Sequence, residues 1–375
     1  MKIYRISTGK PLFQFGDSIG NVPILGRALR EWQDQIAKRY GFSIIDVLEK
    51  KRVEEEEYLV FSENLFFTDL FFKNILKAIS STHTSLRFCL KNNDFNSRFI
   101  LPFSLEATKD FFFDFKFIKK NQAVEDFFIS QKVYDFEVKL PDQIVKGRSY
   151  PMNQCDCFAA HIISPFHLLQ VNIAVNLNRT IRIQKGKINE YLKHWKGKIG
   201  TFFFYKTLKK LNQVGKNCFI HPSAIIEGSV IGDNVQIGAN AVVRLSHVGD
   251  NVSISDNVVI ANSVLGKSTY ISNNNYIELC MTYEETFLIH GPYQFSIFGK
   301  NSACFAVINC DYRLDQQSIK IPTDIGIVDS RQPLLGIAYG HRSKTGGGSI
   351  IAAGRIVPND YHINPPDSIH LKFDS

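Results

Sequence analysis

A histidine and several charged residues in the last quarter of the chain have side chains that can do chemistry. His290 stands between Ile289 and Gly291. Imidazole groups ordinarily titrate near neutral pH, so a histidine here can accept the proton of an attacking amine or hydroxyl. The alternative is a loop histidine that is hydrogen-bonded to backbone. His290 is therefore our candidate general base.

Acidic and basic residues alternate shortly after this histidine. Asp311, Arg313 and Asp315 are two positions apart, and Tyr312 lies between the first two. On a strand the three charged side chains would share one face. They can orient a polar substrate, or they can form an ion-pair ladder between neighbouring coils.

A basic, glycine-rich segment follows. His341 and Arg342 precede Ser343–Gly348, which contains Lys344 and three consecutive glycines. Such turns suit passage of a phosphate or pantetheine group, because glycine lets backbone N–H groups approach it. A wide turn without a ligand is the alternative. Arg355 follows Gly354 and is either a ligand-binding residue or a surface cation.

Composition narrows the class of protein. The net charge is +8 and the pI is about 9.0, which favours anionic partners such as nucleotides, phosphosugars, coenzyme A or lipid headgroups. No nucleic acid is expected. The seven scattered cysteines suit reduced thiols, and we see neither a signal peptide nor a transmembrane segment. These features predict a cytoplasmic protein.

Three segments of the chain differ in their residue patterns. Residues 1–148 alternate helix and strand patterns and predict an α/β domain with parallel strands, including helices over 21–41 and 68–79. Residues 149–216 predict a helical linker that is strongly basic from 179 onward, with interleaved aromatic residues. This linker is either a solvated face or a contact with an anionic membrane surface, which would make the protein peripheral to the membrane.

Residues 217–375 predict a left-handed parallel β-helix. A large apolar residue recurs every five or six positions from Phe219 to Ile277, with glycine and asparagine between them. This period fits a triangular solenoid built from hexapeptide repeats. Its flat sides favour a homotrimer. The pattern breaks at Cys280–Ser296, which we interpret as a loop or distorted coil carrying His290, and again at Pro322–Pro333.

The order of these parts resembles the bacterial bifunctional N-acetylglucosamine-1-phosphate uridyltransferases/glucosamine-1-phosphate acetyltransferases, and more widely the sugar-phosphate nucleotidyltransferases. The resemblance is carried by Asn275-Tyr-Ile-Glu-Leu279, Ile289-His290-Gly291 and Ile308-Asn-Cys-Asp-Tyr312. It implies that His290 is the general base of acyl transfer and that Asp311 and Tyr312 bind sugar. It also implies an acyl-CoA donor and a sugar phosphate or sugar nucleotide as acceptor.

The N-terminal resemblance is partial. Ile24–Gln33 and Tyr58–Phe67 are similar to family segments, and Glu63 takes the position of the aspartate that holds Mg²⁺. The glycine-rich phosphate signature is missing, and only Thr8-Gly9-Lys10-Pro11 lies nearby. Nucleotidyl transfer is therefore not expected, and this domain is a degenerate relative.

The C-terminal pattern is also similar to a family of bacterial proteins without an assigned activity, through Asp311–Asp315, Gly340–Arg342 and Gly354–Asn359. Two hypotheses stay open. The chain is a transferase of sugar-nucleotide or envelope-polysaccharide metabolism, with acyl transfer favoured over nucleotidyl transfer. Alternatively, it is a catalytically inactive nucleotidyltransferase-like scaffold or regulatory protein. Convergence of His290, Asp311, Tyr312, Arg313 and His341 on one cleft would favour the first.

Overall fold

A computed structural model describes residues 1–48, 55–103, 109–142, 149–180 and 208–364. The chain forms two compact units. The first unit comprises 1–174 together with 323–331, and the second comprises 175–322 and 332–375. The predicted boundary at 148 thus precedes residues that pack within the first unit. Most of the predicted basic linker, 181–207, lies outside the described residues.

The described residues up to 180 contain twelve strands and four α-helices, and nearly all of them belong to the first unit. In chain order they are β1 (Lys2–Ser7), β2 (Pro23–Ile24), β3 (Arg27–Ala28), α1 (Leu29–Arg39), β4 (Ile44–Leu48), β5 (Glu57–Ser62), β6 (Leu65–Phe67), α2 (Asp69–Ile79), β7 (Ser85–Leu90), α3 (Asp94–Phe99), β8 (Phe111–Lys119), β9 (Val124–Phe128), β10 (Glu137–Lys139), β11 (Ser149–Pro151), β12 (Ala159–His161) and α4 (Pro165–Leu177), which runs past the unit boundary. Short 3₁₀ helices cover Ile19–Asn21 and Asn178–Thr180.

The main sheet of this unit is mixed. Its strand order is β4-β1-β5-β8-β7-β9, and β8 alone runs antiparallel to its two neighbours. The predicted α/β sheet with parallel elements is confirmed. The helix predicted over 21–41 is shorter than expected, because the chain before Leu29 forms a 3₁₀ turn and two short strands. A separate pair of short strands, β10 and β11, runs antiparallel.

Phenylalanine forms the core of the first unit. Phe115 on β8 packs against Phe61 and Phe67, with ring centroids 5.1 and 5.2 Å away. The Thr68 hydroxyl caps α2 by accepting the Phe71 N–H, which turns Phe71 and Phe72 into this core. The high phenylalanine content therefore serves burial. No helix among the described residues has the length and hydropathy needed to cross a bilayer.

The second unit is a left-handed parallel β-helix of hexapeptide repeats. Its strands form three faces, called here the first, second and third face. The first face contains Gln213–Val214, Val230–Ile231, His247–Val248, Val264–Leu265, Met281–Thr282, Ile297–Phe298, Ala338–Tyr339 and Ile356–Val357. The second contains Phe219–Ile220, Gln236–Ile237, Ser253–Ile254, Tyr270–Ile271, Phe287–Ile289, Ala303–Phe305, Lys344–Thr345 and His362–Ile363. The third contains Ile225–Glu227, Val242–Arg244, Val259–Ala261, Tyr276–Glu278 and Tyr293–Gln294, and it is followed by the pair Ile308–Asn309 and Ile350–Ile351.

The coils stack with a repeat of 17 residues, since Ile237 pairs with Ile254 and Ile254 with Ile271. These side chains point inward and are fully or almost fully buried. Asparagines occupy the left-handed backbone position at successive corners, for example Asn240 and Asn257. Asparagine tolerates this conformation better than most residues, so the predicted repeat is confirmed at the level of residue positions.

Of the two interpretations of Cys280–Ser296, the loop is wrong and the distorted coil is confirmed, since this coil is one residue shorter than those before it. This segment contributes one strand to each of the three faces and continues the stack. The second excursion is real: the chain leaves the coils after Asn309 and returns at Leu335. Within it, Lys320–Thr323 and Gly326–Asp329 form a hairpin, of which residues 323–329 belong to the first unit.

Candidate functional site

His290 lies at the corner between the second and third faces, directly after the strand Phe287–Ile289. It is exposed and has a left-handed backbone with φ of 54°. The preceding side chain that points inward, Leu288, is fully buried and fixes the strand that carries the histidine. His290 is thus held by a rigid coil, not by a loop leaving the solenoid.

The corner at His290 is unusually tight. Tyr293 pairs with Ile277 one coil earlier, a step of 16 residues in place of 17. The Gly291 N–H donates to the Asn275 Oδ1, and the Asn275 Nδ2 donates to the Ser272 carbonyl at 2.6 Å. A Cβ at position 291 would lie 2.8 Å from the Tyr293 ring. Glycine after His290 is therefore required by packing at this corner.

The coils that follow leave space beside His290. Ala306 takes the same corner in the next coil, and its N–H donates to the Ile289 carbonyl. Gly347 lies over Ala306: a Cβ built there would be 3.7 Å from the Ala306 Cβ. We call His290, Ala306 and Gly346–Gly348 the corner notch. Earlier coils have asparagine side chains at this corner, whereas Ala306 has only a methyl group and Gly346–Gly348 have no side chain beyond hydrogen.

His341 takes part in a ladder of hydrogen bonds between side chains and backbone N–H groups of successive coils, which runs along another corner. Its Nδ1 accepts the Lys300 N–H at 2.8 Å, and its own N–H donates to the Asn359 Oδ1 at 2.8 Å. Asp250 makes the equivalent contact in an earlier coil by accepting the Asp233 N–H. The His341 side chain is buried and its ring packs edge-on against Tyr283. These contacts account for a histidine at this position without a substrate.

The residues from 311 to 315 lie in the excursion. Tyr312 bridges Leu334 through backbone, and Asp311 accepts the Leu335 N–H with its carbonyl. Burial raises the pKa of the Asp311 carboxyl. Arg313 and Asp315 form a bidentate ion pair on the surface, which lowers the pKa of Asp315 to about 2. The segment turns at Arg313–Gln316, so the predicted strand alternation is wrong. The Arg313–Asp315 ion pair lies within this turn and is not the predicted ladder between coils.

The two remaining arginines are at the surface. Arg342 forms a bidentate ion pair with Asp360, with Nη2 and Oδ2 separated by 2.7 Å. Arg355 is exposed at the start of the last strand of the first face. Neither lies at the corner occupied by His290.

The predicted single cleft does not form within one chain. His290 is at the corner between the second and third faces, and His341 is at the corner between the first and second. Asp311 lies where the chain leaves the coils after the third face. Each side of the triangle is five or six residues of nearly extended chain, so neighbouring corners are about 17–20 Å apart. One small substrate cannot reach residues at different corners, so His290 is separated from the other candidates within one chain.

Glu63 is buried after the end of β5, in the first unit. Its Oε1 accepts the Thr8 N–H at 3.0 Å, and its own N–H donates to the Ile6 carbonyl. The carboxylate therefore fastens the loop Thr8–Pro11 to the sheet. Among the described residues no group of three or more His, Cys, Asp or Glu is placed to hold a metal ion, so nothing supports Mg²⁺ at Glu63.

Comparison with known proteins agrees with the solenoid. Residues 213–244 match the family model described as bacterial transferase hexapeptide (six repeats). No curated protein matches the chain. None of these findings supports the resemblance of the first unit to nucleotidyltransferases.

Two solved structures are similar to parts of the chain. Both are histidine variants of the perosamine N-acetyltransferase of Caulobacter crescentus in complex with CoA and GDP-perosamine. One is 13% identical over 40% of this chain and 53% of its own, with a TM-score of 0.18. The other is 12% identical over 38% and 51%, with a TM-score of 0.19. The chain thus spans about half the length of these proteins, and at these scores neither assigns it an activity.

The sequence could not show which residues share the corner of His290. Ala306 and the glycine run at 346–348 take that corner only because coils of unequal length stack, and an excursion of 25 residues separates two of those coils. The glycine run was the available signal. The sequence indicates a turn for phosphate or pantetheine there, but nothing in the spacing places it above His290.

Proposed function

We propose that the chain is an acyltransferase that moves an acyl group from a coenzyme A thioester to an amino or hydroxyl group of a phosphosugar or sugar nucleotide. The observation that carries this proposal is the exposed imidazole of His290 beside the corner notch of a hexapeptide-repeat β-helix. A rigid coil holds the base, and the small residues above it leave room for a reacting group.

The chemistry is that of general base catalysis. The acceptor nitrogen or oxygen attacks the thioester carbonyl while His290 takes its proton, and a bond from carbon to the acceptor forms. The carbon–sulfur bond then breaks, and the leaving thiolate takes up the proton. Such proton transfer contributes roughly 10²–10⁴-fold in rate. Asp311, Tyr312, Arg313, Asp315, His341, Arg342 and Arg355 have no part in this step within one chain.

The residues of the notch suit a thioester donor. Gly346–Gly348 present backbone without side chains, and Lys344 supplies a positive charge on the neighbouring strand. A trimer, which the exposed apolar residues on the flat faces favour, would bring a second chain to these surfaces. Light scattering at micromolar concentration tests this assembly, and a monomeric mass contradicts it.

The experiment that tests the activity is an acceptor screen. Acetyl-CoA is incubated with the full chain and a panel of amino sugars, phosphosugars and nucleoside-diphosphate amino sugars, and free thiol is measured. Mass spectrometry of the acceptor must show the added acyl group. Thiol release without an acylated product is hydrolysis, and it counts against the proposal.

A scaffold function is the second candidate, and specific observations favour it. Arg313, Arg342 and His341 are each engaged by neighbours that explain their presence, and Glu63 fastens a loop. A scaffold predicts that no nucleotide, sugar nucleotide or CoA ester raises the unfolding midpoint. A ligand at 100 times its dissociation constant would stabilise the fold by about 2.7 kcal/mol, so a shift of that size excludes the purely structural role.

A further inference from the structure

A row of aromatic rings runs along the outer side of the second face. Tyr270 pairs in register with Phe287, and their rings stack at 5.0 Å with an interplanar angle of 19°. Phe305 in the next coil lies 5.8 Å from Phe287, with its ring plane tilted by 53°. Tyr270 and Phe305 are each 38% exposed. Tyr270 and Phe287 cover each other's ring faces, and Phe305 is the last aromatic ring at the upper end of the row.

Glycine leaves the upper end of this row open. Phe305 is followed in the next coil by Gly346, since Cys304 pairs with Thr345. Gly347 comes next, and a Cβ built there would be 3.3 Å from the Phe305 carbonyl oxygen. Neither glycine has a side chain that could cover the Phe305 ring. The row therefore ends beside the glycines of the corner notch, where a flat ligand can stack on the Phe305 ring.

Positive charge borders the same end. Lys344 pairs with Ala303 and projects from the outer side of the second face, diagonally opposite Phe305. Within the part of the chain that the structure describes, no carboxylate forms an ion pair with Lys344. An uncompensated lysine beside an open aromatic ring matches a ligand that combines a flat ring with an anion.

We infer that this end of the second face binds a phosphorylated nucleoside. The heterocyclic base stacks on Phe305 above Gly346, and phosphate oxygens accept hydrogen bonds from Lys344. Base–aromatic stacking and charged hydrogen bonds are contacts of useful strength for such a ligand. The inference rests on the proposed function, because both the thioester donor and a sugar-nucleotide acceptor contain this chemistry.

Binding by the full chain is measured calorimetrically with two kinds of probe, coenzyme A and the nucleoside diphosphates UDP and GDP. We expect Lys344→Gln and Phe305→Leu each to weaken binding about tenfold. Two matched controls leave it unchanged: Lys267→Gln, an exposed lysine at a corner three coils earlier, and Phe219→Leu, which lies at the first coil of the same face. Both control residues are exposed.

Each outcome has one meaning. Binding of coenzyme A alone assigns the site to the donor, and binding of nucleoside diphosphates alone assigns it to the acceptor. Binding of both supports the shared chemistry. No binding at millimolar concentration, or binding that neither Lys344→Gln nor Phe305→Leu weakens, overturns the inference. If acyl transfer occurs and neither variant affects it, only the inference is overturned. If the variants weaken ligand binding but no acyl transfer is found, only the proposed function is overturned.

Discussion

Two buried histidines make the first unit sensitive to acid. His161 and His167 are each 2% exposed. His167 is bonded through Nδ1 to the Ser164 hydroxyl and through Nε2 to the Pro102 carbonyl. Burial lowers the pKa of both imidazoles from 6.5 to about 4. The unfolded chain therefore binds more protons than the folded chain between these two pH values, and stability falls as the pH drops from 6.5 towards 4.

The magnitude follows from the two pKa values. At pH 4.5 each histidine costs about 2–3 kcal/mol of unfolding free energy relative to neutral pH. In His167→Gln this titration is absent while a side-chain amide remains near the same partners. We expect the difference in unfolding free energy between pH 7.5 and pH 4.5 to be smaller in the variant by about 2–3 kcal/mol.

Urea unfolding at the two pH values measures this difference, and the carboxylates common to both proteins cancel. His83→Gln is the matched control, because His83 is exposed in the same unit. It should keep the pH dependence of the wild type. The reasoning is refuted if His167→Gln loses as much stability on acidification as the wild type does.

Three further predictions concern the β-helix and its glycines. Phe298→Ala, in the solenoid core, should lower the unfolding free energy by about 3–5 kcal/mol in urea titrations, and a loss below 1 kcal/mol would contradict the packing. Gly232→Ala should lower the unfolding free energy by about 1–3 kcal/mol, because the new Cβ would lie 2.5 Å from a carboxylate oxygen in the next coil. For comparison, the Cβ of Gly26→Ala would meet no atom within 4 Å, and this variant should cost only about 1 kcal/mol for its left-handed backbone. His341→Ala should lower the thermal midpoint, and His341→Asn should restore it, because Asn359 makes the same ladder contact; equal midpoints for the two variants would argue against the ladder.

The sequence predicted the solenoid because its physical cause is local. Each coil needs an inward apolar residue on every face and a corner residue that accepts a left-handed backbone, and both leave marks at fixed spacing. Ile254, Ile260 and Asn257 show this pattern in one coil. The prediction of the first sheet succeeded for similar reasons, since helix–strand alternation indicates parallel strands.

The pattern failed where the coil length changed. The coil that carries His290 is one residue shorter at this corner. On the strands that follow, Tyr293 and Phe298 fill inward positions that isoleucine or valine fills in earlier coils. A search for a strict period treats such a coil as a loop. The buried side chains show that it is a coil of the stack, one residue shorter than its predecessors, with large rings that fill the interior.

Spacing along the chain does not identify the corner at which a candidate residue lies. Asp311 and His341 both follow His290 in the chain, yet each comes after a strand of a different face. The roles of His341 and Glu63 depend on contacts with backbone groups of distant residues, Lys300 and Thr8. No residue pattern encodes these contacts. The sequence therefore identified the side chains but could not show whether they bind a ligand or make structural hydrogen bonds.

The most direct test of the central claim compares His290 with another exposed histidine on the same solenoid. With the acceptor found in the screen, acyl transfer is measured for the wild type, His290→Gln and His362→Gln. We predict that His290→Gln lowers kcat by about 10²-fold or more while its unfolding midpoint stays unchanged, and that His362→Gln retains kcat within a few-fold. A His290→Gln protein that transfers acyl groups at the wild-type rate would contradict the account.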